Sequence, residues 1–161
     1  MFELKRILCP TDLSENSRKA VAFALSLANR YNAIAFFLHV VDRPPRDAYD
    51  ETASAALAEA AIDDDEQEVR EHVREAMEML TSEGNDAVPR ERLMYRVASG
   101  NITESILGAA TDASVDMIVM GSHGRTTIKE FILGSEAERV VKKATCAVLV
   151  VKPEGFPYLR D

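Results

Sequence analysis

The sequence predicts an α/β domain: a five-stranded parallel sheet between layers of helices. Short apolar runs alternate along the chain with longer stretches whose apolar residues recur every three or four positions. Each stretch between two runs is long enough to hold a helix, which is how parallel strands are joined. The run AIAFFLHVV (33–41) is almost unbroken in apolar, aromatic and β-branched residues, as in strands covered on both faces.

The elements follow in the order β-α-β-α-β-α-β-α-β. LKRILCP (4–10) is a strand stopped by Pro10, and TDLSENS then supplies polar caps. Val21, Ala24, Leu25, Ala28 and Tyr31 form the apolar face of the first helix. After the 33–41 strand, Pro44 and Pro45 impose a loop over 42–51. TASAALAEAAI (52–62) predicts a weakly packed helix or a mobile insertion, and the acidic run DDDEQE (63–68) reads as a helix start favoured by the helix dipole. Val69, Val73, Ala76, Met77 and Leu80 mark an amphipathic helix ended by Gly84. RLMYRVASG (92–100) is the third strand, followed by a helix capped by Asn101 with Glu104 three residues on. DMIVMG (116–121) is the fourth strand. Ala137, Val140, Val141 and Ala144 form the stripe of a last short helix, and CAVLVVK (146–152) is the fifth strand.

At 161 residues, 47% hydrophobic and 29% charged, the chain predicts one domain (1–161) with its own core. Nineteen basic against 27 acidic residues give a net charge of −8, which repels a phosphate backbone and argues against nucleic acid as a partner. No apolar run reaches the roughly 18 residues of a membrane span. MFELKRILCPTD turns polar before a signal-peptide core forms, so a cytoplasmic location is expected. Cys9 and Cys146 fit neither a redox nor a zinc spacing and read as buried free thiols.

In parallel sheets of this kind ligands sit beyond the carboxyl ends of the strands, which directs attention to the loops 10–14, 41–47, 99–101 and 121–135. Gly121 and Gly124 let the chain turn sharply and bring backbone N–H groups close to a ligand. Gly134 and Ser135 precede the last helix, whose N-terminus offers unpaired N–H groups and partial positive charge, with Ser135 as cap. Two sets of donors on one loop suit a run of phosphates. A Walker A loop is excluded because Lys129 lies in mid-loop and Gly134 is followed by Ser135. A nucleophile elbow is excluded because position 120 is Met120 and no histidine follows His123. A receiver domain lacks its aspartate at Ser99 and Gly100, and CPTDLSE has no glycine for a dinucleotide fingerprint.

Blander readings compete at several positions. Asp12 reads equally as a helix cap, His39 as a satisfied core residue, and Arg125 and Lys129 as solvated charges or phosphate contacts. His123 lacks a partner that would make it a base.

The run GSHGRTTIKEFILGS fits G-x2-G-x9-G-S/T and resembles the nucleotide signature of the ATP-binding branch of the universal stress protein family. KRILCPTDLSENSRKAV, LHVVD, VDMIVMGSHG and ATCAVLVVK resemble the same family in the same order, from about residue 4 to 152. The resemblance implies a Rossmann-like (adenine nucleotide alpha-hydrolase-like) three-layer sandwich with strand order 3-2-1-4-5. It places adenine near Val40, with Pro10 and Asp12 lining the pocket, Met120 and Gly121 by the ribose, and Gly124, Gly134 and Ser135 on the phosphates. Arg125 joins them as a candidate phosphate contact. Asp12 either bonds the ribose or helps hold a metal. Glu136 departs from the pattern: its charge either weakens triphosphate binding or turns away as a first-turn acid.

The cofactor so implied is ATP, with Mg or Mn bound through its phosphates, and the function a nucleotide-dependent regulatory or stress-response module acting on an unknown protein partner. The enzyme alternative is slow ATP hydrolysis or self-phosphorylation at Ser122, Thr126, Thr127 or Ser135, with no catalytic residue assigned. The other alternative is a nucleotide-free interaction module. Strand 146–152 lies at the sheet edge in this order, is apolar, and predicts a homodimer by pairing with its copy. The same order sets strands one and five about 9–10 Å apart, too far for a disulfide between Cys9 and Cys146. The segment 43–65 leaves the end of strand two beside Val40 and reads as a lid over the adenine.

Overall fold

Arg6–Pro10 (β1) occupies the centre of the sheet because its side chains alternate between two apolar environments. Ile7 and Cys9 enter one core, Leu8 the other, and all three are buried. The computed structural model describes residues 3–41, 54–82, 87–123 and 133–152. The loop 42–51, Gly84, Gly124, Arg125, Thr126, Thr127 and Lys129 lie outside the described residues.

The strands Ile34–Val41 (β2), Leu93–Ser99 (β3), Met117–Gly121 (β4) and Ala147–Val151 (β5) join β1 in one parallel sheet of order β3-β2-β1-β4-β5. This is the predicted fold: an α/β Rossmann-like sandwich with order 3-2-1-4-5. Glu15–Tyr31 (α1) and Ser54–Ser82 (α2) pack together on one face, over Ile7, Ala35, Phe37 and Val119. Ile102–Asp112 (α3) and Ser135–Lys143 (α4) cover the other face, over Leu8, Leu38, Ile118 and Met120. β2 is therefore covered on both sides, as its unbroken apolar run requires.

Four details differ from the expectation. The predicted helices over 52–62 and 69–80 are not separate where the structure describes them: with neither glycine nor proline between 54 and 82, one helix of 29 residues runs from Ser54 to Ser82. The acidic run 63–68 is thus in mid-helix, where Glu66 pairs with Arg70 one turn on. Tyr31 is 54% exposed and Val141 46% exposed, because each lies near a helix end, where the stripe runs off the sheet. Cys146 is only partly buried, whereas Cys9 is fully enclosed. Both thiols are free, and burial pushes both upward in pKa.

Local chemistry fixes the ends. Asn32 closes α1 in a left-handed conformation, and the Arg92 guanidinium donates to the Ala28 carbonyl at that carboxyl end (2.8 Å), complementing the helix dipole. Asn101 caps α3 by accepting from the Glu104 N–H at 3.0 Å, as the sequence predicts. Asp116 accepts from the Lys5 and Arg6 N–H groups at 2.8 Å each, tying β1 to the start of β4.

Candidate functional site

A cavity of about 620 Å³ opens at the carboxyl ends of β1, β2 and β4. It lies where strand order reverses on either side of β1, the point at which open parallel sheets leave a crevice. Pro10, Asp12, Val40, Met120, Gly121, Gly134 and Ser135 all line it. These are seven of the nine residues singled out from the sequence; Gly124 and Arg125 lie outside the described residues.

The β1–α1 turn forms one wall. The Thr11 N–H donates to the Leu38 carbonyl at 2.8 Å, extending the β1–β2 ladder by one residue. His39 Nδ1 lies 2.8 Å from the Thr11 carbonyl. A carbonyl only accepts, so Nδ1 carries the proton. His39 is thus satisfied, as expected of a core residue, yet it also borders the cavity.

Leu13 adopts φ +63, a left-handed conformation that costs a non-glycine residue roughly 1–2 kcal/mol. Its N–H donates to Thr11 Oγ1 (3.1 Å) and its side chain packs on the core, which hold the turn in place. Asp12 does not cap α1. Ser14 does, accepting from the Ser17 N–H, while Asp12 Oδ1 accepts from the Ser14 N–H and hydroxyl and braces that cap.

The β4–α4 side forms the opposite wall. The Ser122 N–H donates to Val151 O, and the Gly134 N–H donates to Ser122 O, each at 2.9 Å. The chain between them therefore leaves and returns at one point. A Cβ on Gly134 would stand 2.7 Å from Ser122 O, so only glycine permits this closure. At Gly121 the nearest atom, His123 O, would be 3.2 Å away, a milder constraint. Gly134, not Ser135, is the cap residue of α4, and no side chain caps this end. Ser135 is the first helical residue, so the first-turn N–H groups have no intrahelical partner.

Glu136 also lines the cavity, but its carboxylate is engaged by neighbours. It accepts from the Thr103 hydroxyl and from Arg139 at 2.7 Å, so its charge is already compensated. His123 Nδ1 lies 2.9 Å from Ser122 Oγ, and its buried Nε2 has no hydrogen-bond partner among the described residues.

Sequence reasoning missed the α2 contribution. Asp65 and Glu68 border the cavity, and the same stripe continues through Val69, His72, Val73 and Ala76. Spacings of three and four residues carry that signal, but only once 54–82 is recognised as one helix. Among the described residues no cluster of three or more His, Cys, Asp or Glu could hold a metal, and no helix is long and apolar enough to cross a membrane.

A parallel sheet in this order, with its cavity at the switch point, defines a Rossmann-like α/β protein. More particularly, the chain belongs to the universal stress protein family, whose profile matches residues 3–152. Universal stress protein MJ0577 of Methanocaldococcus jannaschii is 34% identical over 155 residues, spanning 92% of this chain and 94% of the relative. The solved structure of MJ0577 matches with a TM-score of 0.66 at 29% identity, covering 93% of this chain and 96% of its own. A universal stress protein solved in complex with cAMP shares the fold (TM-score 0.61, 21% identity, 93% of this chain and 98% of that one). So does one from Archaeoglobus fulgidus in complex with dAMP (TM-score 0.58, 17% identity, 94% of this chain and 100% of that one).

Proposed function

We propose that this chain is an adenine-nucleotide-binding regulatory protein whose ligand is ATP, with Mg or Mn carried on the phosphates. The observation that carries this reading is the edge of β2 above the end of β1. Leu38 turns its carbonyl toward β1, and Val41 turns its carbonyl toward Gly100 beyond β3. Strand alternation therefore directs the Val40 N–H and C=O to the β1 side, where β1 has already ended at its Pro10–Leu38 pairing. A donor and an acceptor side by side match the ring nitrogen and amino group on one edge of adenine.

Pro10, Asp12, Met120 and Gly121 then surround the base and ribose, and Gly124, Arg125, Gly134 and Ser135 meet the phosphates. The first-turn N–H groups of α4 favour anionic oxygen. The acidic wall of Asp12, Asp65 and Glu68 favours phosphates already neutralised by a divalent cation. That relatives of the same fold were solved with cAMP and dAMP supports adenine as the base.

Native followed by denaturing mass spectrometry of the purified protein, with calorimetric titration of Mg-ATP, tests the reading. Co-purified adenine nucleotide or a Kd of roughly micromolar order is expected. Absence of heat and of bound mass with ATP, AMP and cAMP, each at about 1 mM, overturns it.

β5 ends the sheet, and its outer edge supports pairing with a second copy. Sedimentation at micromolar concentration is expected to give twice the 17.8 kDa chain mass, and a monomer would refute the dimer.

A further inference from the structure

Beneath the cavity lies a chain of buried polar groups that no expectation anticipated. Ser17 borders the cavity, and its Oγ lies 2.9 Å from Thr11 Oγ1, 2.8 Å from the Ser14 carbonyl and 3.3 Å from His72 Nε2. Thr11, Ser17 and His72 are each 5% exposed. Ser17 has one proton, and the Ser14 carbonyl can only accept it. The Ser17 oxygen is then left to accept from the Thr11 hydroxyl and from an Nε2–H on His72. The turn that carries Asp12 is thereby joined through two hydroxyls to a ring on α2. On the same helix, Val69, Val73 and Ala76 pack into the core beside α1, and Glu75 pairs with Arg18 of α1 at 2.7 Å.

We infer that His72 is a positioning residue: its uncharged ring seats α2 against the β1–α1 turn, and taking up a proton there loosens α2 and lowers nucleotide affinity. A second positive charge would be enclosed between α1 and α2, next to Arg18. Burial holds the His72 ring below the ordinary histidine value of 6.5, and Arg18 adds to this; Glu75 on α2, Asp12 in the turn and Glu15 on α1 act in the opposite direction. Of these influences burial is the largest.

A ring that titrates lower when folded binds more protons in the unseated state, so its contribution is complete above pH 6.5 and is lost as pH falls through the folded value. The seated state also brings Asp65 and Glu68 to the cavity rim, so a ligand that requires it loses affinity over the same range.

This inference rests on nucleotide binding at the cavity, and its test separates the two. Mg-ATP is titrated into the wild type and into His72→Gln, which keeps an N–H donor for Ser17 but cannot gain a proton. The two proteins are expected to bind alike at about pH 7.5, and the wild type to lose at least about fivefold more affinity than the variant at about pH 5.5. Whatever else changes with pH, the ligand's phosphates included, is common to both proteins and cancels. Parallel profiles overturn the role of His72 while leaving the nucleotide reading intact; no binding by the wild type at the higher pH overturns both.

Should His72→Gln fail to fold, NMR titration of the wild-type histidine rings with and without saturating Mg-ATP gives the reciprocal measurement. Ligand must then lower the His72 midpoint, by about one unit for a tenfold coupling. Identical midpoints overturn the proposal.

Discussion

Replacing Gly134 with alanine is expected to weaken Mg-ATP binding at least about thirtyfold, or ~2 kcal/mol, while leaving the sheet folded. The added Cβ would meet the Ser122 carbonyl at 2.7 Å, a backbone atom held from the other side because the Ser122 N–H donates to Val151. Neither partner yields cheaply, so Gly134 must move away and its hydrogen bond to Ser122 must lengthen or break. Overpacking of this kind costs roughly 1–3 kcal/mol and a lost hydrogen bond about 1 kcal/mol more. The strain falls on the N-terminus of α4, where Ser135 lines the cavity. Calorimetric titration gives the affinity, and circular dichroism shows whether the fold persists. Gly121→Ala is the graded comparison: its contact, with the His123 carbonyl, would be 3.2 Å, and its loss of affinity should be smaller. Equal affinities for Gly134→Ala and the wild type would show that closure of the loop is irrelevant to the ligand.

Much of this molecule was legible before its structure. Strand positions and the Asn101 cap depend on local pattern, which sequence reports directly, whereas the set of Pro10, Asp12, Val40, Met120, Gly121, Gly134 and Ser135 that lines the cavity is what the family resemblance implies. Less legible was whatever depends on distance. Sequence reads Gly134 only as part of a helix start that offers N–H groups to phosphates, and the Ser122 carbonyl that crowds it is visible in the structure alone. The partners of Glu136, Thr103 and Arg139, are invisible to a reading of neighbours alone, although Glu136 itself lines the cavity. Asp12 and Ser14 compete for one capping role, and only geometry assigns it to Ser14. The length of α2 is hard to read from sequence because the small side chains of 52–62 suggest weak packing, although that stretch contains neither glycine nor proline. That ambiguity hides Asp65, Glu68 and His72, the residues through which α2 reaches the cavity and the turn beneath it.

The largest loss of stability is expected from Phe37→Ala, and it separates a buried aromatic residue from one that merely follows a helical pattern. Phe37 is fully enclosed in β2, stacked on Tyr95 of β3 with ring centroids 6.1 Å apart. Arg70 of α2 lies 4.5 Å over the Tyr95 ring, so the two rings form the platform on which α2 rests. Removing the inner ring forfeits its burial and leaves a void beneath α2, at a cost of roughly 3–5 kcal/mol. For a domain of this size that corresponds to a Tm lower by about 10 °C or more. Tyr31 occupies the apolar spacing of α1 yet stands 54% exposed at the helix end, so Tyr31→Ala should change stability by no more than about 0.5 kcal/mol. Urea unfolding of the two variants side by side provides the measurement, with an unchanged m-value showing that the unfolded state is the same. Because α2 also carries Asp65, Glu68 and His72, Phe37→Ala should weaken Mg-ATP binding at temperatures where the protein is still folded. Lost stability with unaltered affinity would mean that α2 covers the core without helping to shape the cavity.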